Sequence, residues 1–349
     1  MNYAKVSSPT GGLRLHLNEN TAGCSPAVLA ALHAMQRTDA SEYPDYAQVT
    51  AQCEAFFGVW PGFVQITNGL DEGLHVVAQA AKMSRPDFEA IVVEPAFEMY
   101  AACIAAVDGH QVTVPASADL EFPLRAVLDA ISTRTRLIYL CDPNNPSGLP
   151  IPAGQIQRIA DAAPDAIVLV DEAYADFSGR TMVGPLLERH RNVVVGRTFA
   201  KAHGLAALRV GALIAHPSAL APLRRILPPY SINICAVVAL QAALADRAYV
   251  DWYSSEAAQS RELIYAWCRT HEIPFWPSEG NFVLIRLGHE GVSNAAKACV
   301  EALAAKQIYI RDKTSTPGCD GCIRITAGVV EDTRLCLTAM EEWYATRGH

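Results

Sequence analysis

The stretch NVVVGRTFAKAHGLAALRVG, residues 192–211, ends a run of β-branched residues on a lysine, with a threonine three residues before that lysine and an arginine eight after it. Asn192–Gly196 has the composition of a buried strand. An amine just beyond such a strand loses hydration, and lost hydration lowers its pKa toward the range a nucleophile needs. The chain holds only six lysines. Lys5 lies near the start, Lys82 ends a helical pattern, Lys297 and Lys306 belong to an amphipathic helix, and Lys313 falls in the loop RDKTSTPG. Lys201 alone follows a buried strand.

Outward from this point the same pattern repeats. Six more apolar runs, FVQIT (63–67), AIVVEP (90–95), HQVTVP (110–115), RLIYLC (136–141), AIVLVD (166–171) and VGALIA (210–215), alternate with helical patterns such as DEGLHVVAQAAK and AGQIQRIADAA. Alternation of this kind predicts an α/β fold with a large, mainly parallel, seven-stranded sheet. After residue 230 comes one long helical stretch, 233–270. NFVLIRL, QIYIRD and CIRITAG then read as strands around the helix VSNAAKACVEALAAK. The expected layout is a large domain over residues 41–245 and a smaller α+β domain formed by 1–40 and 246–349.

Bulk properties narrow the function. With 349 residues, 51% of them hydrophobic and 18% charged, the chain is globular and can bury a sizeable core. A net charge of -8 without a basic stripe argues against nucleic acid. No run reaches the roughly 20 apolar residues of a membrane span, so no membrane partner is expected. MNYAKVSSPTGG lacks the apolar core of a secretion signal. The ten cysteines are scattered through apolar stretches, which fits a reducing, cytoplasmic setting. Cys319 and Cys322 form a lone CxxC without a second pair, and no metal site is expected.

Ligands of open α/β sheets bind beyond the carboxyl ends of the strands. There the sequence delivers Asn68-Gly69-Leu70-Asp71, a turn opening a helix and suited to an anion. It also delivers Phe97, the rigid turn Asp142–Gly148 with its amides, Asp171 with Tyr174 three residues on, and Thr198 with Lys201. An anion cradle, a ring-stacking face, amide and phenol donors, a carboxylate and an amine together meet the needs of pyridoxal 5'-phosphate. GxGxxG after a strand, GxxxxGK[ST], HExxH and GxSxG are all absent.

Nine segments carry a resemblance in order along the chain: LNEN (17–20), EYPDY (42–46), TNGLDEGL (67–74), EPAFEMY (94–100), DPNNPSG (142–148), VDEAYADF (170–177), RTFAKAHGLAALRVG (197–211), GNFVLIR (280–286) and CIRITAG (322–328). The sequence resembles the fold-type I, pyridoxal-phosphate-dependent class I/II aminotransferases, most closely the histidinol-phosphate aminotransferases. The resemblance implies that Lys201 holds the cofactor covalently and shuttles a proton. It gives Asp171 to the pyridine nitrogen, and Tyr174 and Asn145 to the phenolic oxygen. Gly69, Leu70, Asp71, Thr198 and Arg209 would form the phosphate cup, and Phe97 would stack on the ring. Tyr43 would reach the cofactor of a second subunit in a homodimer, and Arg311 and Arg324 would grip the anionic end of the substrate. The implied reaction passes the amino group of a small amine or amino acid to a keto acid, as from histidinol phosphate to 2-oxoglutarate.

Three departures bear on substrate choice rather than on the transfer itself. Ala200 stands where serine is usual, Thr21-Ala22-Gly23 follow LNEN, and His203 replaces a large apolar residue. An aromatic amino-acid aminotransferase and a decarboxylase of the threonine-phosphate type remain alternatives on the same template.

Overall fold

The structure is a computed structural model and describes residues 9–288 and 294–346. Its centre is a seven-stranded sheet in the order Val64–Thr67, Gly211–Ala215, Val193–Thr198, Ile167–Asp171, Thr135–Cys141, Glu89–Glu94 and His110–Pro115. Gly211–Ala215 runs antiparallel to both its neighbours, and the other six strands share one direction. The inner strands are apolar along their whole length because helices cover both faces. Two apolar clusters flank the sheet. Ile138, Val168, Val170 and Val195 belong to one, and Leu137, Leu169, Val194 and Leu213 to the other, as the strand period of two requires.

Later in the chain a four-stranded antiparallel sheet forms from Phe275–Trp276, Phe282–Arg286, Cys322–Thr326 and Arg311–Asp312. It buries Val283, Ile285, Ile323 and Ile325 against helices 247–270, 294–305 and 330–345. The N-terminal residues divide their contacts. Leu13–Arg14 pairs in parallel with Ile308–Tyr309, while Val28 of helix Pro26–His33 packs into the core of the large sheet, on the side of helix Ile234–Ala245.

Two expected elements are each two. The stretch 233–270 breaks at Asp246, whose carboxylate caps the second helix by accepting from the Tyr249 amide at 3.3 Å. QIYIRD divides at Ile310: Ile308–Tyr309 joins the N-terminal strand, and Arg311–Asp312 joins the four-stranded sheet. No helix among the described residues is long and apolar enough to cross a membrane.

Candidate active site

A cavity of about 300 Å³ opens beyond the carboxyl ends of the central strands. The central sheet forms its floor. Residues 16–19, Phe97, Glu98 and the four-stranded sheet supply its remaining walls.

Lys201 projects into this space, and its Nζ donates to the Leu17 carbonyl at 2.8 Å. Burial lowers its pKa to about 8, and the Arg324 guanidinium pushes in the same direction. Asp171, the last residue of its strand, is 3% exposed. Its carboxylate accepts from the Tyr100 hydroxyl at 2.7 Å and from the Ala173 amide at 3.0 Å. Burial still raises its pKa to about 6. Among the described residues no cation lies within ion-pair distance of it. Tyr174 is buried, and its hydroxyl oxygen accepts from Asn18 Nδ2 at 3.0 Å and Asn145 Nδ2 at 3.4 Å, leaving its own proton to donate. Burial pushes the phenol up to about 12, so it stays protonated at neutral pH.

At one side of the cavity helix Gly69–Ser84 begins, directing free backbone N–H groups and the positive end of its dipole inward. Gly69 has φ +73°, a left-handed conformation that favours glycine, and a Cβ there would stand 2.6 Å from Arg209 Nη2 and displace the guanidinium. Arg209 bonds Asp71 Oδ2 at 2.8 Å with both side chains partly exposed to the cavity. Thr198 ends its strand beside them, its hydroxyl oxygen accepting from the Ala200 amide at 3.2 Å. Phe97 lines the same space and meets Tyr100 edge-on.

Across the cavity Arg311 and Arg324 are directly opposed in antiparallel register, and both line the wall. Arg324 donates to Asn145 Oδ1 at 2.5 Å and to the His16 carbonyl at 2.9 Å. Arg311 lies 3.8 Å from Glu98, and Lys313 Nζ donates to the same carboxylate at 3.1 Å. Burial would push Glu98 up, but Lys313 and the two arginines hold its carboxyl below the usual range. Tyr43 is on the exterior, 80% exposed, stacked on Tyr230 at 4.4 Å and absent from the cavity wall of its own chain.

Twelve of the thirteen expected cofactor- or substrate-binding positions therefore line, or directly edge, one cavity; Tyr43 does not. Sequence reasoning passed over Tyr100, Lys313, His16, Asn18 and Glu98. Two carried a readable signal. Tyr100 follows Phe97 by three positions, one helical turn. Lys313 follows Arg311 by two, the spacing that puts extended residues on one side. Of the departures, Ala200 lines the cavity, whereas His203 is buried outside it against Phe199 and Phe56. The Thr21 hydroxyl accepts from the Val329 amide at 2.9 Å and ties the N-terminal segment to the last helix.

The family description "Aminotransferase class I and II" matches residues 10–336. This chain belongs to the class I and II aminotransferases. Aminotransferases of this class depend on pyridoxal phosphate, and so does this one. Its relatives include the histidinol-phosphate aminotransferase of Xylella fastidiosa, 34% identical over 348 residues, covering 97% of this chain and 92% of that protein. The histidinol-phosphate aminotransferase of Sinorhizobium meliloti, solved in complex with pyridoxal-5'-phosphate, superposes with a TM-score of 0.85 at 27% identity, covering 96% of this chain and 91% of that one. The L-threonine-O-3-phosphate decarboxylase of Porphyromonas gingivalis shares the fold, with a TM-score of 0.79 at 21% identity over 95% of this chain and 99% of that one.

The residues of this aminotransferase fit the cofactor. A buried carboxylate facing a cavity without an ion-pair partner calls for a cation, which a protonated pyridine ring supplies. A glycine-opened helix N-terminus with an arginine beside it calls for an anion, and a phosphate answers it. The amine between them has a pKa suited to carbonyl chemistry.

Proposed function

We propose that this aminotransferase acts on histidinol phosphate, passing its amino group to 2-oxoglutarate to give imidazole acetol phosphate and glutamate. The observation that carries this reading is the in-register pair Arg311 and Arg324 on the cavity wall facing Lys201. Guanidinium groups bind phosphate and carboxylate oxygens in a bidentate fork. The pair therefore suits both an amine that ends in phosphate and a dicarboxylic keto acid.

Pyridoxal phosphate supplies a carbonyl that condenses with amines and a ring that draws electrons from the neighbouring carbon. In this reading Lys201 binds the cofactor and carries the transferred proton on Nζ. With a pKa of about 8 it spends an appreciable fraction of time neutral near pH 7.5. Asp171, ionised above about pH 6, holds a proton on the pyridine nitrogen, and Tyr100 fixes its carboxylate in place. Tyr174 and Asn145 orient the ring through its phenolic oxygen. Gly69, Leu70 and Asp71, through their backbone, with Thr198 and Arg209, bind the phosphate, and Phe97 covers one face of the ring.

The reading also makes the protein a cytoplasmic homodimer without nucleic-acid or membrane partners, with Tyr43 completing the neighbouring subunit's site. The exposed Tyr43–Tyr230 stack and the ten free cysteines support it. Its two domains would be 41–245 and 1–40 with 246–349, with Val28 of helix Pro26–His33 reaching across to pack in the apolar cluster of the large sheet.

A panel of amines offered one at a time to the cofactor-loaded protein tests the substrate. Histidinol phosphate should bleach the visible absorbance of the bound cofactor, and 2-oxoglutarate should restore it. Equal reaction with histidinol or phenylalanine would replace this substrate by a broader or aromatic one. Release of CO2 without consumption of keto acid would replace transfer by decarboxylation.

A further inference from the structure

The wall of the cavity opposite Lys201 holds more charge than the two arginines. Lys313 continues the strand Arg311–Asp312 by one residue, its amide donating to the Cys322 carbonyl at 3.0 Å. Extended backbone puts alternate residues on one side, so Arg311 and Lys313 face the cavity while Asp312 is exposed. The lysine is 5% exposed. Its ammonium is held 3.1 Å from the Glu98 carboxylate, which Arg311 shares at 3.8 Å. Three cationic side chains, Arg311, Lys313 and Arg324, and one carboxylate, Glu98, thus line this end, a net positive charge of two. The other nearby acid, Glu19, is engaged by Arg14 at 2.7 Å.

His16 provides an independent sign. It lines the same cavity at 4% exposure, and neither ring nitrogen has a hydrogen-bond partner among the described residues. A buried polar atom left without a partner costs stability, and a ligand that bonds it recovers that cost.

We propose that Lys313, assisted by His16, is a specificity-determining residue that holds a dianionic group of the substrate, of phosphate-monoester type, with Glu98 as the counter-ion that gives way to it. The inference rests on the aminotransferase reading of this cavity. A phosphate monoester carries about -1.5 to -2 charge at neutral pH and three acceptor oxygens. That matches the charge of the wall and its several donors, whereas a single carboxylate matches half of it. Glu98 is half-exposed, so it can turn toward solvent as an anion arrives, leaving Lys313 to the ligand. Lys313 and Glu98 therefore act on anion affinity in opposite directions.

Competitive binding of n-propyl phosphate and n-butyrate to the cofactor-loaded protein tests this directly. Both probes lack an amine and neither reacts, so the result stands whether or not histidinol phosphate is turned over. The bound cofactor's own phosphate occupies the cradle at Gly69, so the probes report the far wall. Lys313→Met should weaken n-propyl phosphate about 10- to 100-fold, as loss of a charged donor does, and n-butyrate much less. Lys313→Arg should restore most of the phosphate affinity. Glu98→Gln should tighten n-propyl phosphate, by roughly the few-fold expected when a competing charge goes. His16→Phe, which keeps the ring and removes both nitrogens, should weaken it about 2- to 10-fold. A merely structural bridge predicts instead that Lys313→Met and Glu98→Gln shift binding in the same direction for both probes. That result, or parental affinity in Lys313→Met, overturns the proposal.

Discussion

The two ends of the cavity are built in different ways. The end that holds Asp171, Thr198 and Lys201 is made by consecutive strands of one sheet, each delivering a side chain where its own buried run stops. The opposite end is assembled from the N-terminal segment at His16, the start of a helix at Glu98, and an antiparallel pair at Arg311, Lys313 and Arg324. The first arrangement is a property of strand ends. The second exists only when segments some 300 positions apart pack together, as the bond from Arg324 to the His16 carbonyl illustrates. The ends should therefore fail differently: the first in cofactor chemistry, the second in substrate affinity.

The largest effect should come from Lys201→Ala. On the proposed reading Lys201 carries the transferred proton, so its loss should lower kcat by about 10²–10⁴-fold or more, with the fold intact by circular dichroism. A variant retaining a tenth of the parental rate would move the proton transfer to another residue. Lys201 should also be the position that reductive trapping labels with cofactor.

Asp171→Asn comes next and separates function from stability. Without its charge the pyridine nitrogen loses a charged partner, worth about 1.5–3 kcal/mol, so activity should fall roughly 10- to 150-fold. In the cofactor-free protein the sign reverses. Burial raises the Asp171 carboxyl from 3.8 to about 6, so its contribution to stability is complete below 3.8 and is lost as pH rises through 6. Cofactor-free Asp171→Asn should thus be more stable than the parent at pH 8, by about 1–3 kcal/mol, and the advantage should shrink as pH falls toward 4. Denaturant melts at the two pH values check this. A less stable variant at pH 8 would mean that the carboxylate is paired in the cofactor-free state.

The smallest difference is the most telling about the two ends. Arg311→Ala should raise KM for an anionic substrate about 10-fold and leave the cofactor's spectrum unchanged. Arg324→Ala should raise KM by a similar factor and also shift the spectrum, because it frees Asn145, which bonds Tyr174. Identical spectra for the two variants would show that the ends are uncoupled.

The same contrast explains what was legible in the sequence. Seven apolar runs became seven strands, with ends that differ by a residue or two, since period and β-branching act locally. Phe97, Asp171, Tyr174, Thr198 and Lys201 follow or end such runs, so their meeting could be read from the α/β pattern. The break at Asp246 could not, because the flanking residues suit a helix and only a side-chain cap divides them. Nor could the division at Ile310, where each half answers to a different partner strand. His16 and Glu98 gave no signal, for nothing near either of them in sequence names the surface it faces. Lys313 was legible only in part: its spacing from Arg311 puts the two on one side of an extended chain, but TSTPG reads as a loop, and the register of Arg311 against Arg324 is what carries the lysine inward.

The hydrogen-bonded chain Arg324–Asn145–Tyr174 has a consequence for how such a protein can diverge. A residue wired to the cofactor's partners is a poor place to try new substrates, since each change there also retunes the chemistry. Lys313 and Glu98 face the same substrate space but hold chiefly each other and Arg311. On the proposed reading, exchanging them should leave the catalytic machinery in working order. Innovation in substrate range is cheapest at that corner, and descendants of this chain should vary there first while Arg324 stays fixed.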